Sequence, residues 1–346
     1  MTNPTAPLPI IAVADSADAP AASSAGRRTI GMAMAVASAL AFSSSGPLVK
    51  PLLEAGWSLG AALFVRIATA ALVLSPFLVR AIVRDRGILR RHGGAMIAFG
   101  LMPVVGCQLF YFSAMQRMPV AVALLIQYLA PVLLVLWVWL RTRRRPSNTV
   151  IAGSVVAMIG LVLVVDIAGA RFDFWGTLLA LGAALCTCVY FVMAERTGDT
   201  LAPIVLAAGG MVVAATFIAV LLGLGLLPLA VSGGAAAVLG AELPPLAVLL
   251  FVGLATGTAY ALGVSAVPRT GSRLASFIGL SEVLFALGFA WLLLAEAPAP
   301  VQFAGGALIL VGVVLVRLDA DGAPPITRPI GSAAAMVERG AGSPRP

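Results

Sequence analysis

The sequence predicts an all-α polytopic membrane protein with ten transmembrane helices arranged as two inverted five-helix repeats. Composition, run length and an internal repeat carry that prediction. Of the 346 residues, 61% are hydrophobic and only 10% are charged, more apolar surface than a soluble core of this size could hide. The apolar runs are near ~20 residues each, the length that crosses a hydrocarbon layer of ~30 Å. The pattern of Ser276–Val316 also recurs 152 positions earlier: Trp291 falls on Trp139, Pro298 on Pro146, Gly305 on Gly153 and Gly312 on Gly160. Upstream at the same offset, Ala266 meets Ala114, Ser265 meets Ser113 and Arg269 meets Arg117. Ten spans divide into five per copy, and an odd number forces the copies to insert upside down relative to each other.

Residues 1–28 are rich in Ala, Pro and Ser and lack the basic start and apolar core of a signal peptide, so a disordered cytoplasmic tail is expected there. The first repeat is expected over residues 29–168. Its span 1 covers Thr29–Val49 and ends in Ser43–Pro47 (SSSGP), where hydroxyls either bond back to the helix or face a cavity. Span 2, Ser58–Leu78, places Arg66 deep in the bilayer. The loop after it carries Arg80, Arg84, Arg86, Arg90 and Arg91, with His92 read as solvated. Span 3, Gly94–Ala114, sets Gln108 and Tyr111 on one face. Span 4, Val120–Leu140, contains Gln127, Tyr128 and a kinking Pro131, and span 5 is Thr149–Ile167.

The second repeat is expected over residues 173–318. Spans 6 and 7 are Phe174–Ala194 and Ala202–Leu222, followed by a long Gly/Ala-rich outer loop. Span 8, Leu246–Ala266, puts Thr256 and Tyr260 on one face; span 9 is Leu274–Ala295 and span 10 is Val301–Leu318. Residues 319–346 read as a second disordered cytoplasmic tail. The five tryptophans, Trp57, Trp137, Trp139, Trp175 and Trp291, fall mostly near span ends and are expected to anchor at the membrane interface.

The net charge of +8 does not require a nucleic-acid partner, because the arginines sit between apolar runs on alternate loops. One set of loops holds 15 basic residues from Arg27 to Arg317, and the other holds Lys50, Arg117 and Arg171. Positive loops stay inside, so both termini are expected in the cytoplasm of a cell (inner) membrane protein. Arg144 aligns with Glu296 across the repeat, opposite charges on opposite faces. Cys107, Cys186 and Cys188 lie inside apolar runs and are read as small packing residues. With neither a His/Cys/carboxylate cluster nor a Walker A loop in the chain, no cofactor, no metal and no enzyme activity are expected.

Two ionisable residues sit at mid-membrane, Arg66 and Glu282, and the copy equivalent to Glu282 has Ala130. Each charge costs about 2.5–3.5 kcal/mol on insertion scales, roughly 6 kcal/mol together. A contact ion pair would return about 4 kcal/mol at an effective dielectric near 20, and a water-filled cavity would return much of the rest. Small residues share their faces: Ser272, Ser276, Gly279 and Ala286 beside Glu282, and Ala62, Thr69 and Ala70 beside Arg66. Two readings follow. In one, Arg66 and Glu282 flank a cavity for a polar solute such as a zwitterion, with Gln108, Tyr111, Gln127, Tyr128 and Tyr260 as further lining, and Glu282 also takes a proton. In the other, the charges form a buried pair that only ties helices together. A secondary carrier for a small polar metabolite is thus expected, against a membrane-embedded enzyme or a structural membrane partner.

The order of these features, with an arginine in Leu63–Leu74 (LFVRIATAALVL), a proline in Leu125–Leu133 (LIQYLAPVL) and the stretch Leu280–Gly312, resembles the EamA-type branch of the drug/metabolite transporter superfamily. Within it, Phe110–Val132 (FYFSAMQRMPVAVALLIQYLAPV) is similar to the threonine and homoserine exporters. The resemblance implies a ten-helix inner-membrane carrier with two repeats, exporting amino acids or other metabolites, with proton coupling. The chain departs from the family pattern at Glu282-Val283, where Glu-Pro is usual, at Arg143-Arg144, where Gly-Glu is usual, and at Gln127, where the exporter branch has a glutamate.

Overall fold

The computed structural model describes residues 19–319 except 116, 118–122, 124–125, 144, 166–172, 199, 233, 235, 239–240 and 295–298. The predicted disordered tails therefore lie largely outside the described residues, as do Arg144, Arg171, Glu296 and Pro298. Helix α1 spans Ala19–Glu54, starting at Ala19 and not at Thr29, since the Ala-rich stretch before Arg27 has high intrinsic helix propensity. Helix α2 (Leu59–Arg84) starts on a Ser58 cap that accepts from the Ala61 N–H, and it runs past the predicted end at Leu78. Its arginines reach water from an amphipathic extension. Asp85, in the short turn that follows, pairs with Arg91 of helix α3 (Ile88–Phe99), and His92 lies in the same helix and not in a loop.

Span 3 is built from α3, a π-helical turn at Gly100–Gly106 and helix α4 (Cys107–Met115). Pro103 lies inside the π turn, and its missing N–H accounts for the local widening. Helices α5 (Ala130–Thr142) and α6 (Asn148–Val165) complete the first half. The second half contains α7 (Phe174–Thr197), α8 (Pro203–Gly223), α9 (Pro245–Thr270), α10 (Ser272–Gly279), α11 (Ser281–Leu294) and α12 (Pro300–Asp319). Between α8 and α9 the outer loop forms a small hairpin, β1 (Ala236–Val238) against β2 (Ala241–Leu243), in the register Ala237↔Glu242. The all-α prediction missed it, since two three-residue strands carry no periodic signal against an Ala/Gly background. Leu59–Arg84, Ile88–Tyr111, Phe174–Thr197, Pro203–Gly223 and Pro245–Thr270 are long and apolar enough to cross a membrane, and Ala130–Thr142, Asn148–Leu163 and Pro300–Val316 are shorter apolar helices.

Spans 4 and 9 are interrupted at equivalent places. The first turns out of helix at Tyr128–Leu129 and the second at Leu280, and Tyr128 maps onto Leu280 at the 152-residue offset. In span 4 the cause is Pro131, which cannot donate to the Gln127 carbonyl and crowds it; Leu129 N bonds to Ile126 O at 3.1 Å instead. Span 9 has no proline there. Its break follows Gly279, and the Ser281 hydroxyl donates back to Ile278 O at 2.6 Å.

The packing has the same doubling. Helix α6 lies against α12 and α2 against α8, while α1 packs on α9 as α7 packs on α4, and α1 packs on α10 and α11 as α7 packs on α5. At the α6–α12 contact, a Cβ on Gly160 would meet Gly305 O at 2.5 Å and one on Gly153 would meet Gly312 O at 2.9 Å. The four glycines that define the repeat thus let two antiparallel backbones touch, with each copy's first glycine facing the other's second.

The tryptophans divide. Trp139, Trp175 and Trp291 are exposed, whereas Trp57 is buried and donates from Nε1 to Ser232 O at 2.8 Å, tying the α1–α2 turn to the loop after α8. Interfacial anchoring is therefore not the role of Trp57. Trp137 lies under the Arg141 and Arg196 guanidinium groups, with Cζ 5.6 and 5.7 Å from the ring centroid.

Candidate functional site

The two interrupted spans, together with α1, α2, α4, α7 and α9, enclose a cavity of ≈ 670 Å³, inside the range of about 300–1,000 Å³ usual for small-ligand pockets. Arg66 enters from α2, Gln108 and Tyr111 from α4, Gln127 and Tyr128 from the break in span 4, Tyr260 from α9 and Glu282 from the break in span 9. All seven residues singled out in the sequence line this one space. The small-residue face of Glu282 divides: Gly279 and Ala286 line the cavity, while Ser272 and Ser276 are buried in protein. On α2, Ala62 lines the cavity, while Thr69 and Ala70 sit against Gly253 and Gly257 of α9.

The two charges stay apart. Among the described residues no ion pair within 4.0 Å joins Arg66 to Glu282, so the tie between helices that the second reading required is absent. The Arg66 Nε donates to the Thr256 hydroxyl at 2.7 Å, and the Glu282 carboxylate lies beside the Tyr128 hydroxyl. Without contact, the Coulomb energy of the pair falls below the ~4 kcal/mol of a touching one. Water or a bound polar solute in the cavity must then offset the rest of the cost.

The remaining walls are aromatic. Phe42 meets Tyr260 edge-on with ring centroids 4.9 Å apart, Tyr190 meets Tyr260 at 5.9 Å, and Phe191 meets Tyr190 at 5.0 Å. Gln127 donates to the Cys107 sulfur at 3.5 Å, while its own side-chain carbonyl oxygen is buried with no partner. Cys107 therefore lines the cavity and is more than packing material. Ser43, Ser44 and Ser45 donate back to Leu40, Ala41 and Phe42 carbonyls at 2.8, 2.8 and 2.6 Å, and Ser43 and Ser45 also border the cavity, so both readings of SSSGP hold.

Sequence reasoning missed Ser38, Tyr190, Thr187 and the role of Thr256. Tyr190 follows a run of small apolar residues with no charge to mark it. Thr256 was legible only as the neighbour of Tyr260 on one helical face.

The cavity opens on a duplicated scaffold, and the comparison with known families repeats that division. The model of the EamA-like transporter family matches residues 29–166 and again residues 174–318. The chain belongs to the EamA-like transporter family. This EamA-like protein is 26% identical over 304 residues to YicL of Salmonella typhimurium, described as an uncharacterized inner membrane transporter, covering 84% of this chain and 95% of that one. It is 26% identical over 204 residues to the threonine/homoserine exporter RhtA of Escherichia coli, covering 58% of this chain and 63% of RhtA. A crystal structure matches with a TM-score of 0.65 at 21% identity, over 87% of this chain and 98% of that chain, which speaks for the fold. The EamA-like chain is thus a multi-pass membrane protein of a transporter family.

Proposed function

We propose that this EamA-like protein is a secondary carrier of the inner membrane that exports amino acids or related small zwitterions by alternating access. The observation that carries the proposal is the cavity itself, which holds a guanidinium and a carboxylate on separate walls with no ion pair between them. Two separated charges of opposite sign match the two ends of a zwitterion, and the aromatic wall matches its apolar body. The name of RhtA supports amino acids as the class to try first. Glu282 would carry the coupling proton, being the carboxylate in this cavity.

The two halves are proposed to be inverted repeats, with both termini cytoplasmic. The antiparallel glycine contact of α6 and α12 supports that arrangement, since exchanging the copies leaves the contact unchanged. The paired breaks at Tyr128–Leu129 and Leu280 support it too, because carriers of this design put interrupted helices at the midplane. The cavity lining reaches Leu53 and Leu59 at the α1–α2 turn. At the other end Glu195 accepts from Ser272 N at 3.3 Å and Arg273 pairs with Asp319 at 3.6 Å. With the proposed topology, the cavity reaches the outer turn while these two contacts tie cytoplasmic helix ends together.

Export is tested in cells that overproduce the protein: they should tolerate an otherwise inhibitory load of threonine or homoserine and release more of it to the medium. Unchanged tolerance and release across all twenty amino acids would sink the substrate class. Reporter fusions after Arg86 should read as cytoplasmic and fusions after Gly234 as external; a swapped result would break the inversion.

A further inference from the structure

We propose that Thr256 is the positioning residue for Arg66, setting which edge of the guanidinium faces the solute; this rests on the cavity being the solute site. Thr256 is 1% exposed on α9, and its hydroxyl hydrogen is committed to Val252 O at 2.7 Å, one turn back. The hydroxyl can then only accept toward Arg66, and it accepts from Nε at 2.7 Å. The approach that permits this bond is built by glycines. A Cβ on Gly253 would collide with Thr69 and with the Arg66 backbone carbonyl, and one on Gly257 would press on Ala70. The Gly253-to-Gly257 spacing of four thus brings α9 against α2 at Arg66 and leaves Thr256, between the two glycines, facing the guanidinium.

A guanidinium can hold a carboxylate side-on, through Nε and one Nη, or end-on, through both Nη groups. With Nε occupied by Thr256, only the end-on fork remains for the cavity. Thr256 therefore fixes the long axis of Arg66 and presents the fork to a carboxylate arriving opposite Glu282. The ligand chemistry recognised is a carboxylate that can take two parallel N–H donors.

Thr256→Val keeps the shape and deletes the acceptor, while Thr256→Ser keeps the acceptor. The first readout needs no solute: solvent exchange of the Arg66 Nε–H followed by 15N NMR in nanodiscs, assigned by its loss in Arg66→Lys. Exchange should be slow in the parent and in Thr256→Ser, and about tenfold faster or more in Thr256→Val. The second readout is L-threonine counterflow in proteoliposomes. Thr256→Val should raise KM about tenfold with little change in maximal rate or in Tm, and Thr256→Ser should restore the parent value. Unchanged Nε–H exchange in Thr256→Val would overturn the positioning bond whatever the transport result. Faster exchange with an unchanged KM would overturn its role in solute binding. If the parent protein moves no L-threonine, the substrate assignment fails instead, and the exchange measurement still decides the bond.

Discussion

Arg66→Ala is expected to abolish solute transport while leaving the protein inserted and folded. Loop charges set topology, and Arg66 is not among them. Its removal strands no ion-pair partner, because Glu282 is not paired with it, and the Thr256 hydroxyl keeps its bond to Val252 O. What disappears is the cation of the cavity. Losing one partner of a buried, hydrogen-bonded charge contact costs about 2–5 kcal/mol, so kcat/KM should fall at least about 30-fold. Arg66→Lys retains charge but can offer neither the Nε bond to Thr256 nor a planar fork. It should therefore recover little of the loss. Counterflow in proteoliposomes measures both, with protein amount and Tm as controls; full activity in Arg66→Ala would remove the cationic wall from the site.

Glu282→Gln is expected to separate exchange from accumulation. Were the residue half of a contact ion pair, the change would leave a buried cation alone at a cost of about 3–5 kcal/mol. The separation of the two charges removes that penalty, so Glu282→Gln should keep the parent Tm, and combining it with Arg66→Gln should bring no recovery of stability. The amide still accepts from the solute but cannot carry a proton. Solute counterflow should persist, whereas accumulation driven by a pH gradient of one unit, up to about tenfold per coupled proton, should vanish. A stable Glu282→Gln protein that still concentrates solute with the gradient would leave the carboxylate without a coupling role.

Much of this was legible in the chain because membrane insertion is costly to violate. Apolar runs near the bilayer thickness have few alternatives, and a repeat that preserves four glycines at one offset marks a contact between the copies. Arg66 and Glu282 stood out for the same reason, since an unexplained charge in lipid is improbable without a purpose. What stayed hidden depends on pairs distant in sequence. Thr256 meets Arg66 only because Gly253 and Gly257 let α9 approach α2. Tyr190 reaches the cavity by packing on Tyr260 and Phe99. The break at Leu280 has no proline to announce it, and it comes from a glycine and a back-bonding serine that in most helices pass unnoticed. Trp57 resembled an interfacial anchor until its indole found the Ser232 carbonyl, 175 residues away.

In the proposed carrier Arg66 holds the carboxylate of a zwitterion while Glu282 faces its ammonium group. Ligand-induced shifts in Tm decide it, comparing an amino acid with its carboxamide and with its desamino acid on the parent, Arg66→Gln and Glu282→Gln proteins. The parent should be stabilised by the amino acid and by neither analogue; Arg66→Gln should lose its preference for the acid over the carboxamide, and Glu282→Gln its preference for the amino acid over the desamino acid. Both variants keeping the parent's full discrimination against both analogues would contradict this binding mode.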